Sequence, residues 1–329
     1  MERTIYFKNK PVIIGASSVA GPKESEGAIS KYITTKLTND MFGEKTFEKA
    51  ETKMLYTAMR QALEDANKDE KEINAILAGD LLNQIISATF TARSFQTGFL
   101  GLYNACATFT ESLAIGATMI DGRYYKNVMC GASSHFSSAE RQYRYPLELG
   151  STRPPLSQWT VTGAGACVIS QNGDGPKINC ATIGKVVDFG VTDVNNMGAA
   201  MAPAACDTIY SHFQETGFKP NEYDLIVTGD LGTFGSRLLK DLIWEKGYDI
   251  EKQHVDCGEL IYNICEDEYQ GGSGAGCSAV VFCSYLYSLL KRKKLNKILL
   301  ISTGALLSSL SSQQGESIPG IAHAVALES

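Results

Sequence analysis

Cys106 stands in GLYNACATFTESLAIG (101–116), where a short apolar approach meets the periodicity of a helix beginning near Ala107. A thiolate is the reactive form of cysteine, and a helix N-terminus favours it through unpaired N–H groups and the dipole. Cys106 is thus either a nucleophile with a lowered pKa or a small buried hydrophobe. A nucleophile needs a base and donors for the developing oxyanion. The chain has four histidines, at 135, 212, 254 and 323. His135, next to Ser134, follows the apolar run NVMCG in CGASSHFSS, at the carboxyl end of a predicted strand where α/β proteins bind ligands. It is a pocket residue or a hydrogen-bonded loop residue. His212 lies on a predicted helix and His254 in a charged loop, neither at a motif position. AERQYRYP (139–146) sets Arg141 and Arg144 among Tyr143 and Tyr145. Guanidinium forks and aromatic faces suit a planar aromatic anion, and equally a solvated or interfacial loop.

Composition narrows the classes. With 329 residues, 44% apolar and 20% charged, the chain can bury a large α/β core. A net charge of −6 gives no basic face for nucleic acid. The N-terminus lacks a signal-peptide pattern, and apolar runs such as SAVVFCSYLYSLL (278–290) fall short of the ~20 residues that span a bilayer. The nine cysteines show no C-x-x-C and no histidine at ligand spacing, so they predict reduced thiols rather than a metal site. KRKKLNK (291–297) reads as cations at a helix C-terminus, with anionic lipid or an acidic partner as the alternative. GAGAC (163–167) lacks the full dinucleotide-binding pattern.

The elements that must position these residues come from an internal repeat. Residues 51–80 lie against 201–230 at a constant offset of 150, each a helical stripe running through a polar loop into a short strand, AILAGD or LIVTGD. Residues 106–133 match 277–305 in the same way, at an offset near 171–173, so the second half carries an insertion. PVIIGAS (11–17) and ATIGKVVDFG (181–190) are the predicted opening strands of the two halves, and Asn-Gly-Asp-Gly at 172–175 marks the seam. Residues 21–49 show no apolar periodicity and predict a long surface excursion. Two βαβαβ-like halves with helix-covered sheets follow.

A duplicated α/β half with a cysteine opening its central helix resembles the thiolase and ketoacyl-synthase superfamily. YNACATFTESL corresponds to the nucleophile segment, VTGAGACVIS (161–170) to a Gly-rich turn into a strand, and QGGSGAGCSA (270–279) to the Gly-rich loop before the second central helix. The ending GALLSSLSSQQGESIPGIAHAVALE (304–328) is not a generic thiolase ending, and with it nearly the whole chain is similar to a family of sporulation proteins from spore-forming bacteria.

The resemblance implies a layered α-β-α-β-α sandwich with pseudo-twofold halves, 1–172 and 173–329. Superfamily enzymes load an acyl group on the thiol and bring a histidine or asparagine from the second half's strand end and another from its Gly-rich loop. Here Gly229, with Asp230 beside it, takes the first position, Gly272 with Ser273 the second, and Ser302 and Thr303 stand where thiolases carry a second cysteine. Each missing group costs ~10²–10⁴ in rate, so catalysis is not expected. The alternative is an acyl-CoA- or acyl-carrier-dependent condensing enzyme using Cys106. The expected pocket is wider and anion-friendly, formed by Cys106, Ser134, His135, Arg141, Arg144, Gly229, Asp230, Gly272 and Ser273. The sporulation resemblance further implies binding of dipicolinic acid (pyridine-2,6-dicarboxylate), free or as its calcium chelate, for uptake into the developing spore and release in germination. It implies no cofactor, no metal of the protein's own, and membrane partners from the same operon that hold a soluble protein at the spore inner membrane. The superfamily also implies a homodimer, with residues 83–105 near that face.

Overall fold

The computed structural model describes residues 2–144, 146–150, 152–263 and 269–329; Tyr145 and Cys265 lie outside them. The first half contributes β1 (Val12–Ala20), β2 (Ala75–Gly79), β3 (Gly98–Gly101), β4 (Asn127–Ser134) and β5 (Gly163–Ser170). Their order is β3-β2-β4-β5-β1. β2 is parallel to β3 and β4, while β5 is antiparallel to β4 and β1. The second half repeats this pattern with β6 (Lys177–Thr182), β7 (Leu225–Thr228), β8 (His254–Asp256), β9 (Lys297–Ala305) and β10 (Gly320–Glu328), ordered β6-β10-β9-β7-β8. The halves join edge to edge where Val12 lies opposite Lys177, so that their strands follow one another in a single 12-stranded order, with Thr4–Tyr6 pairing β6 and Thr35–Lys36 pairing β1 beside the path.

Helices fill the layers between and outside the sheets. The outer helix α1 (Phe47–Asp65) starts on Thr46, whose hydroxyl accepts from the Lys49 N–H at 3.3 Å. Its Met54, Leu55, Ala58, Met59, Ala62 and Leu63 are buried, one face at helical spacing, against Ile76, Met129 and Val168 of the first sheet. The central layer holds α2 (Thr108–Asp121), whose Phe109, Leu113, Ala117 and Ile120 pack with Val128, Cys130 and Ile169 on the other face of that sheet. Strand alternation explains this division: Val128 and Cys130 point inward, Met129 outward. Short α3 (Phe136–Tyr143) follows β4. Beyond the second sheet lie α4 (Met197–Thr216) and α5 (Gly232–Glu245). The second central helix, α6 (Ala275–Val281), continues through a π-helical turn to Lys291. The result is an α-β-α-β-α sandwich. No described helix is long and apolar enough to cross a membrane.

Four local expectations are corrected. The second half opens on Lys177–Thr182 rather than 181–190: the strand ends at Thr182, and beyond it only a bridge from Val187 to Gly320 forms. In 161–170 the expected strand forms but takes in the glycines as well, running Gly163–Ser170 with no turn at Gly163 or Gly165; glycine stands at 165 because a side chain there would collide with the Ala279 carbonyl of α6 at 2.2 Å. The 21–49 stretch is packed in: Ile29, Ile33 and Leu37 are buried. In the same stretch buried Glu24 accepts from the Thr162 N–H at 2.9 Å and the Tyr262 hydroxyl at 2.5 Å. His254 belongs to β8, not a loop.

Candidate functional site

The N-termini of the two central helices meet. Cys106 occupies a single 3₁₀ turn, Ala105–Ala107, leading into α2, and Ala105 holds a left-handed φ of +48°. That conformation costs a non-glycine residue on the order of 1 kcal/mol and persists where neighbours over-determine it. They do here: Thr108 Oγ1 donates to the Ala105 carbonyl at 2.8 Å, and the Ala107 N–H to the Asn104 carbonyl at 3.1 Å. Opposite, α6 begins at Gly274, whose φ of +106° suits glycine.

Asp230 lies between these ends, just past β7. Its Oδ1 accepts from Thr303 Oγ1 at 2.7 Å, and its Oδ2 from the Gly274 N–H at 2.9 Å and Ser273 Oγ at 3.3 Å. Its carbonyl accepts from Gln158 Nε2 at 2.7 Å. Burial raises its pKa to about 6, against the pull of the Cys106 thiol and these side-chain and Gly274 donors. The Cys106 thiol is pushed well above its ordinary value, first by burial and then by the Asp230 charge, with the Gly274 N–H and Arg144 acting the other way. Of the two readings open for Cys106, the lowered pKa is the one not met: desolvation and a facing carboxylate outweigh the helix-end effect. Behind this group Asp256, raised to about 7 by burial, accepts from the Leu231, Gly232 and Gly258 N–H groups and from Thr228 Oγ1.

A cavity of about 530 Å³ opens beside Cys106. Cys106, Arg144 and Ser273 line it, with Tyr103, Tyr143, Gln142, Met197 and Met201, the loop Leu306–Ser308 that follows β9, and the first residues of the short helix Ser309–Gln313. The Tyr143 hydroxyl donates to the Leu81 carbonyl and lies 3.2 Å from that of Tyr103. Ser309 Oγ donates to the Gln142 carbonyl at 2.8 Å, tying the end of that loop to α3.

The other expected residues are placed elsewhere. Ser134 sits below the Gly274 turn, its hydroxyl donating to the Val161 carbonyl at 2.6 Å and accepting from the Gly276 N–H at 3.1 Å. His135 caps α3: Nδ1 accepts from the Ser137 N–H at 3.2 Å, and Nε2 faces the Asp40 carbonyl at 3.0 Å. Arg141 points to the surface and pairs with Glu48. Gly229 and Gly272 do not widen the cavity. A Cβ on Gly229 would meet Ser302 Cα at 2.9 Å, and one on Gly272 would meet Ile261 Cγ2 at 2.8 Å. None of the four histidines lines the cavity. His212 is held between Thr182 Oγ1 and the Tyr223 hydroxyl, His254 by Thr228, and His323 by the Gly184 N–H and the Asn104 amide. Sequence reasoning misses Tyr103, the two methionines of α4 and the loop after β9. Only the loop leaves a signal, since it follows β9 on the carboxyl side where α/β sites gather.

Two five-stranded halves around a pair of central helices, one opened by a cysteine, define a thiolase-like protein. Solved structures agree. The 3-oxoacyl-[acyl-carrier-protein] synthase III from Aquifex aeolicus superposes with a TM-score of 0.57 at 15% identity, over 97% of this chain and 100% of that one. A single-substitution variant of OleA from Xanthomonas campestris gives 0.62 at 15% identity over 99% of both chains. At that identity the likeness is one of fold. Sequence goes further: the family model for stage V sporulation protein AD (SpoVAD) matches residues 1–328. The stage V sporulation protein AD of Bacillus subtilis (strain 168) is 42% identical over 327 residues, 99% of this chain and 97% of the relative. The chain belongs to the stage V sporulation protein AD family.

Proposed function

We propose that this protein binds dipicolinate in the cavity beside Cys106 without turning it over. It supports uptake of the dianion into the developing spore, and its release in germination, together with membrane proteins of the same operon that hold it at the spore inner membrane. One observation carries the non-catalytic part: Asp230 faces the thiol and occupies the Gly274 N–H. A condensing enzyme needs a thiolate and free donors for an oxyanion. Here a carboxylate disfavours the first and has taken one of the second. Aromatic walls and Arg144 suit a flat organic anion, and the volume lies within the usual range for small-ligand sites. Calorimetry with dipicolinate, with and without calcium, tests it: saturable binding is expected, and no saturable heat at millimolar ligand sinks it.

A second reading has its own support, since Cys106 opens on the cavity and a neighbour of the same fold is by name a synthase. On that reading, incubation with acyl-CoA leaves a stable acyl adduct on Cys106, detectable by peptide mass spectrometry. An unmodified peptide removes it.

A further inference from the structure

Arg144 is the cavity's buried cation. Its side chain is only 7% exposed, although it lines the cavity, and it acts on the charge of Cys106 across that space. Its Nη1 donates to Glu140 Oε1, while its Nε–H, shielded from water, has no hydrogen-bond acceptor among the described residues. Glu140 is itself buried, and its other oxygen, Oε2, pairs with Arg153 Nη1 at 3.1 Å. Glu140 is thus divided between two guanidiniums, and the one on the cavity wall keeps a buried N–H with no acceptor among the described residues. Buried ion clusters rarely repay their desolvation in stability, so this one calls for another purpose.

The cluster is also held firmly. Arg153 lies 5.4 Å and 5.3 Å from the rings of Phe136 and Trp159, which stack on each other at 3.9 Å. Its Nη2 donates to the Gln158 carbonyl, and Gln158 Nε2 donates in turn to the Asp230 and Gly272 carbonyls at 2.7 and 2.8 Å. A rigid chain of contacts therefore runs from the cation to the wall that bears Cys106.

We infer that Arg144 is the anion clamp of this cavity, receiving one carboxylate of an organic acid, and that Glu140 and Arg153 are the positioning residues that fix its guanidinium. This rests on the reading that the cavity holds an organic anion. A guanidinium presents a planar fork matched to a carboxylate, which an ammonium does not. Apolar surface from Leu81, Ala139, Met197 and Met201 suits a ligand with a flat body rather than inorganic phosphate.

The test is calorimetry of the full chain with dipicolinate, picolinate, benzoate and the neutral pyridine-2,6-dicarboxamide, on wild type, R144Q and R144K, with melting curves for each. R144Q is expected to weaken carboxylate binding by roughly 30-fold or more, with R144K intermediate and the dicarboxamide weak throughout. Dipicolinate binding of unchanged affinity in R144Q overturns the clamp and leaves the dipicolinate reading standing. Picolinate or benzoate binding that R144Q abolishes, with no dipicolinate binding at all, overturns that ligand and keeps the clamp. Absence of binding by every carboxylate overturns both. If R144Q does not fold, R144K and the wild-type contrast decide: equal affinity of wild type for dipicolinate and the dicarboxamide overturns the clamp.

Discussion

The two central helices begin facing each other, and they begin differently. At α2 the chain passes through a strained alanine, Ala105, and presents a side chain, the thiol of Cys106. At α6 it passes through Gly274 and presents a backbone N–H, which Asp230 takes. Pseudo-symmetry thus supplies two equivalent helix ends, and local residue choice gives one a reactive atom and the other a donor. The lesson is that a duplicated fold fixes where groups meet, while single residues decide what they do to each other.

The sharpest way to break this comparison is Gly274→Ala. The new Cβ would meet Ser134 Oγ at 2.8 Å and Thr160 Cγ2 at 3.1 Å, on a backbone with φ +106°. Chemical denaturation is expected to show a loss of about 3 kcal/mol, from backbone strain and overpacking together. Next in size is Asp230→Asn, read through pH. A carboxyl raised by burial contributes stability that is complete below its unfolded pKa and lost as pH rises through its folded value. For Asp230 that window runs from the ordinary value of 3.8 to about 6. Relative to wild type, the Asn variant therefore gains about 2.5 kcal/mol between pH 4 and pH 7, since one pKa unit is worth about 1.4 kcal/mol and part of the change already lies below pH 4. A parallel pair of stability curves over that range would show that the carboxylate is not paying for burial.

The same substitution acts on the thiol. With the facing charge removed, Cys106 should alkylate with iodoacetamide faster at pH 8, because one of the two causes that hold its thiol protonated is gone while burial remains. Peptide mass spectrometry distinguishes Cys106 from the other cysteines, and an unchanged rate would mean burial alone governs it. The smallest effect belongs to Ala105→Gly. Relief of the left-handed strain nearly cancels the added entropy of the unfolded glycine, so stability should change by less than about 1 kcal/mol. The two helix ends would then differ in tolerance by a clear margin.

Much of this is legible in the sequence. The offset of 150 anticipates α1 and α4, and β2 and β7, because apolar spacing survives where identity does not. Cys106, Arg144 and Ser273, all named from the sequence, line one cavity, and Asp230 stands beside the thiol. The errors have a common form. Motif position puts weight on Gly229 and Gly272, yet it is their successors, Asp230 and Ser273, that reach the thiol side. In extended chain a step of one residue reverses the face, so a position right to within one residue is wrong about its side chain. His135 misleads for another reason: an N-cap and a ligand-binding residue occupy the same place after a strand, and only the Ser137 N–H tells them apart.

The eight described cysteines are all unpaired and buried. Burial holds the thiols of Cys130, Cys257 and Cys277 well above the ordinary value and those of Cys180 and Cys206 at about 11. Oxidants and electrophiles consume the thiolate, and the protonated form is nearly inert. A core built this way sets a slow clock for chemical ageing, because each thiol must first reach water before it can react.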